Sequence, residues 1–128
     1  MHIEQTIVGQ TKIAVVSGDS KVVTDLQSAL DLMMTVKYQT DADSMALDKN
    51  LIIEDFFILS TGLAGEVLQK LINYHMKIAI YGDFTKYTSK PLKDFIYESN
   101  HGKDVFFVPT KEEALQCLRK ADAVSQEF

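Results

Sequence analysis

The residues best suited to chemistry lie where an apolar run, Phe57-Ile-Leu, gives way to Ser60-Thr61-Gly62 and helical spacing resumes at Leu63. Hydroxyls and a glycine at that junction set side-chain oxygens beside free backbone N–H groups at a helix N-terminus. Such a site either caps the helix or offers a position to modify or bind. A second group, Gly82-Asp83-Phe-Thr85-Lys86-Tyr87-Thr-Ser89-Lys90, follows a compact apolar segment, and Glu54 and Asp55 lie upstream of the first. Loops leaving parallel strands share one carboxyl edge, where α/β proteins bind ligands. The expected binding edge is therefore Glu54, Asp55, Gly62, Glu66, Asp83, Thr85, Tyr87, Ser89 and Lys90, with Ser60 and Thr61 among them. Carboxylates near hydroxyls suit acid–base chemistry or a divalent ion. In that alternative Asp83 or Asp55 works as acid–base group and Lys86 or Lys90 contacts an anion, but no metal-ligand spacing accompanies them and no catalytic residue is assigned. His2, His75 and His101 are scattered, and Cys117 lies one position from the inward face of a late helix. Gly62-x-x-Gly65 is neither a dinucleotide fingerprint nor a P-loop. No cofactor is expected.

The elements that must position these residues are readable from periodicity. Ile3 to Val8 and Lys12 to Val16 are β-branched runs around Gly9-Gln10, a glycine-first pair suited to a two-residue hairpin turn. Val22, Leu26, Ala29, Leu30, Met33 and Met34 recur at helical spacing, with Ser20, or Thr24 with Gln27, as the expected cap. Ser44 to Asp48 reads as a strand, and Lys49 to Phe57 as a turn or short helix under the sheet edge. Leu63, Val67, Leu68, Leu71 and Ile72 form a helical stripe. Met76 to Tyr81 reads as an internal strand buried on both faces. Pro91 is expected as the first residue of the next helix, followed by the strand Asp104 to Val108. Thr110 with Glu113 forms the clearest capping box, opening a last helix with Ala114, Leu115 and Leu118 inward.

This order predicts a small single-domain α/β fold over residues 1–120, with a mostly parallel five-stranded sheet and an N-terminal antiparallel hairpin. Residues 121–128 are expected to fray. The chain has 128 residues, about one domain, and its 46% hydrophobic and 24% charged content is that of a soluble globular protein. Thirteen Lys and Arg against eighteen Asp and Glu give a net charge of −5, which repels nucleic acid and anionic membranes. The lysines Lys86, Lys90 and Lys93 run against that trend as a solvated group. One cysteine excludes an intrachain disulfide. With neither a signal-like N-terminus nor a membrane-length apolar run, the cytoplasm is the expected location.

The stretch Leu59-Ser60-Thr61-Gly62-Leu63-Ala64 resembles the signature of STAS domains, the sulfate-transporter and anti-sigma-factor-antagonist family, in which Asp-Ser-Ser-Gly-Leu-Gly opens a helix. The later order, Lys77-Ile-Ala-Ile-Tyr-Gly82, a helix near Leu92 to Ser99, Val105-Phe-Phe-Val-Pro and Thr110-Lys-Glu-Glu-Ala-Leu115, is similar too. Glu54-Asp55-Phe56 with Ser60 to Gly65, Gly82 to Ser89 and Asp94 to Asn100 more closely resemble an uncharacterised bacterial domain-of-unknown-function family. The STAS resemblance implies a regulatory, protein-binding module rather than an enzyme, with Ser60, or secondarily Thr61, as the phosphorylated residue. Its implied partner is another protein, a kinase or regulator. Leu59 stands where that signature has aspartate. A homodimeric scaffold, in which the motif is only a cap, is the third expectation.

Overall fold

The computed structural model describes residues 1–125. Two strands, β1 (His2–Val8) and β2 (Thr11–Ser17), form the expected antiparallel hairpin, and Gly9 takes a positive φ of 65° at the first turn position. Parallel to β2 run β3 (Ser44–Asp48), β4 (Lys77–Tyr81) and β5 (Val105–Val108), in the sheet order β1-β2-β3-β4-β5. The helices are α1 (Leu26–Thr40), α2 (Leu63–Asn73), α3 (Lys90–Asn100) and α4 (Lys111–Ser125).

Each parallel crossover advances one strand in the same direction. Right-handed connections of that kind deliver their helices to one face of the sheet. Accordingly α1, α2 and α3 supply Met33, Val36, Leu68, Leu71 and Leu92 to the main core, against Ala14, Val16, Met45, Leu47, Ile78, Ile80 and Phe107. Among the described residues the opposite face is covered by α4, through Ala114, Leu118 and Ala121 against Ile13, Ala46, Ala79 and Phe106. Small residues there let the helix lie close to the sheet.

Two expectations about boundaries are corrected. Neither Ser20 nor Thr24 caps α1; Asp25 does, its carboxylate accepting from Ser28 N at 2.8 Å while Ser28 Oγ accepts from Asp25 N at 3.0 Å. The helix starts late because Val22 N and Val23 N donate to Leu51 O (2.7 and 3.1 Å) and Ile53 N to Val23 O (2.9 Å), holding that segment in sheet-like pairing. α3 begins at Lys90, one residue before Pro91, with Ser89 as its cap. The helix α4 extends into the expected tail, through Ser125, with Ala121 buried and Thr11 Oγ1 donating to Asp122 at 2.7 Å. The rest of that expected tail, 126–128, lies outside the described residues. Thr110 accepts from Glu113 N at 3.2 Å, as its capping pattern requires.

Candidate functional site

Because β2 to β5 are parallel, their carboxyl ends share one edge of the sheet. The strand order never reverses, so the crevice that a topological switch point opens in other α/β sheets is not formed. The edge is instead roofed by two loops. After β3 the chain makes three 3-10 turns, Lys49–Leu51, Glu54–Phe57 and Leu59–Thr61, before α2. After β4 it runs through Gly82 to Ser89 into α3.

These loops are joined by a cluster whose centre, Lys49, was not singled out by its sequence context. Asp48 pairs with Tyr81, which brings Lys49 alongside Gly82. Only glycine fits there, since a Cβ at 82 would come 2.8 Å from Lys49 Cβ. The lysine is 7% exposed. Its ammonium lies 5.1 Å from the Tyr87 ring centre, 5.5 Å from that of Phe57 and 3.6 Å from Glu54 Oε1. Tyr87 donates to the Glu54 carboxylate at 2.7 Å, and Lys86 Nζ sits 3.5 Å from Glu54 Oε1 and 5.4 Å from the Tyr87 ring centre. Phe57 stacks on Tyr87 at 5.4 Å, and Phe84 bridges Phe57 to Phe107 of β5. A lysine directly after a strand, opposite a glycine directly after the neighbouring strand, was the available signal, but it is visible only once the register is known.

The electrostatics follow from this packing. Burial lowers the Lys49 pKa, the neighbouring Lys86 lowers it further, and Glu54 only partly offsets both. Burial pushes Glu54 up, but the Tyr87 hydrogen bond and the two lysines outweigh it, so its net shift is downward. The Tyr87 hydroxyl is raised by burial and by the adjacent carboxylate it bonds. Asp83 is lowered by the Thr85 hydroxyl and backbone N–H that its carboxylate accepts. A cavity of 210 Å³ beside the cluster is lined by Asp48, Lys49, Asn50, Gly82, Asp83 and Lys86. Its lining holds two lysines and two aspartates, and both lysines pair with Glu54 outside it.

The other expected site residues divide sharply. Thr61 Oγ1 donates to the carbonyls of Asp55 and Ile58, both at 2.8 Å, and receives Leu63 N at 3.3 Å. It is a structural residue of the turn. Ser60 is exposed, and α2 is capped by Gly62 at φ 80° without a side-chain cap, which corrects the expectation that Ser60 or Thr61 is the cap residue. Ser60 and the Lys86–Ser89 segment line one groove of 400 Å³, with Phe57, Ile58, Leu59, Pro91 and Leu92. The Asp55 side chain is exposed and stands outside that groove and the charged cluster, and Glu66 is exposed on the first turn of α2. Ser89 accepts from Leu92 N at 3.4 Å to cap α3, and Lys90 pairs with Asp94 at 2.7 Å on that helix. Among the described residues no group of three or more His, Cys, Asp and Glu is disposed to hold a metal, and no helix is long and apolar enough to cross a membrane.

The model of a family described as a domain of unknown function, DUF4180, matches residues 8–118. The chain belongs to that family. The match runs from the end of β1 into α4 and so includes both roofing loops of the DUF4180 domain. Neither the curated proteins nor the solved structures offer a significant match to the chain.

Proposed function

We propose that this DUF4180 domain is a STAS-like, non-catalytic regulatory module of the bacterial cytoplasm that binds another protein in the groove between the Leu59–Thr61 turn and the Lys86–Ser89 loop. The observation that carries the reading is that this groove joins the two segments nominated by their residue types, with Ser60 exposed at it and free of any capping duty. Ile58 presents an apolar side chain there, 52% exposed, and Lys86 a cation, so the fitting partner is an apolar segment carrying an acidic residue. The β4-α3-β5-α4 succession on which the STAS resemblance rests supports the same reading.

Ser60 is the switch. A kinase transfers the γ-phosphoryl group of a nucleoside triphosphate to Ser60 Oγ, whose proton is lost, and the nucleoside diphosphate leaves as the bond to the γ-phosphorus breaks. The resulting dianion sits before the N-terminus of α2 and in the same groove as Lys86, both of which favour it, while it repels an acidic partner. Affinity purification from the native cells tests this by quantitative mass spectrometry. Ser60→Ala retains the wild-type partner, and Ser60→Asp loses it by about tenfold, a change of about 1.4 kcal/mol. Equal recovery with both variants removes the switch.

A further inference from the structure

Among the described residues, the strand β1 is paired on one side only, to β2. A two-residue turn closes on a hydrogen-bonded pair, here Val8 with Thr11, and antiparallel pairs alternate from there. His2, Glu4, Thr6 and Val8 therefore spend their backbone groups on β2, while those of Ile3, Gln5 and Ile7 point out of the sheet. The other edge of the sheet is treated differently. At β5, Phe107 N donates to Asn100 Oδ1 at 2.7 Å and Asn100 Nδ2 donates to Phe107 O at 3.0 Å, so a side chain occupies the outward groups. The sequence of β1, His-Ile-Glu-Gln-Thr-Ile-Val, has neither the lysine nor the proline that commonly protects an open edge, and Glu4 is its one carboxylate. It also leaves Ile7 63% exposed.

We propose that a second copy of this chain pairs antiparallel on β1, with Gln5 on the two-fold axis, joining two five-stranded sheets into one. In that register Ile3 of one copy faces Ile7 of the other, Gln5 faces Gln5, and each of these pairs exchanges both its N–H and C=O bonds. Ile3 and Ile7 lie on the face covered by α1, so the exposed isoleucine gains an apolar neighbour. Glu4 faces Thr6. Moving the axis to Glu4 would set two glutamates directly opposite, and moving it to Thr6 would leave His2 and Ile3 unpaired, so charge and length both select Gln5. This surface does not involve Ser60, and Ser60→Asp leaves the dimer unchanged.

Sedimentation equilibrium over a concentration series reads the result. The wild-type mass rises from 14.4 kDa toward twice that value. Gln5→Pro stays at the monomer mass with an unchanged far-UV circular dichroism spectrum, because the N–H it removes points away from β2 and proline is tolerated at such an edge position. Gln5→Lys, which keeps the backbone intact and opposes two ammonium groups, does the same. A wild-type chain that stays monomeric at every concentration, or a dimer that survives Gln5→Lys, overturns the proposal.

Discussion

Single residues decide how the carboxyl edge is built. Lys49 is buried because its stem crosses the bare backbone of Gly82, and its ammonium is tolerated because Phe57, Tyr87 and Glu54 surround it. Gly82→Ala is expected to cost about 1–3 kcal/mol through overpacking, measured as a lower urea midpoint. Adding Lys49→Ala gives no recovery, since the atom met at 2.8 Å is Lys49 Cβ, which alanine keeps. Ser60 and Thr61 show the same dependence on place. They are chemically alike and adjacent, yet Thr61 is consumed by the turn and Ser60 is not. Residue types nominated both; only the path of the Leu59–Thr61 turn told them apart.

At the scale of elements, the contrast is between the two edge strands. In β5 one asparagine from the end of α3 takes both backbone groups of Phe107, while in β1 the backbone groups of Ile3, Gln5 and Ile7 point outward with no partner among the described residues. Asn100→Ala strips Phe107 of both partners and is expected to cost about 1 kcal/mol. It also opens a second edge, so light scattering should detect association that Gln5→Pro no longer suppresses. Much of the element order was legible: the glycine-first hairpin turn, the strands at Ser44 and Met76, the stripe from Leu63 and the cap at Thr110 are local signals. The start of α1 was not. Val22 continues the helical spacing of Leu26 and Ala29, but the segment is taken by pairing with Leu51 and Ile53 from across the chain.

Across the whole molecule, the one-directional winding of β2 to β5 places three helices on one face and leaves the other to α4. That asymmetry explains why alanines recur opposite α4. Ala79→Leu is expected to force α4 outward and to cost about 1–3 kcal/mol in urea unfolding. The same winding denies the sheet a switch-point crevice, and the groove lined by Ser60 and Lys86–Ser89 lies between two loops at the carboxyl edge.

The sequence by itself determined the α/β class, the hairpin, the alternation of strands and helices, and the two loops that meet, because each depends on local periodicity, turn chemistry and capping. The strand order, the burial of Lys49 against Gly82, the different fates of Ser60 and Thr61, and the difference between a guarded and an open sheet edge were decided only by the tertiary structure. Each of these is a pairing between residues distant in the chain, and neither composition nor spacing records which partner a residue will meet.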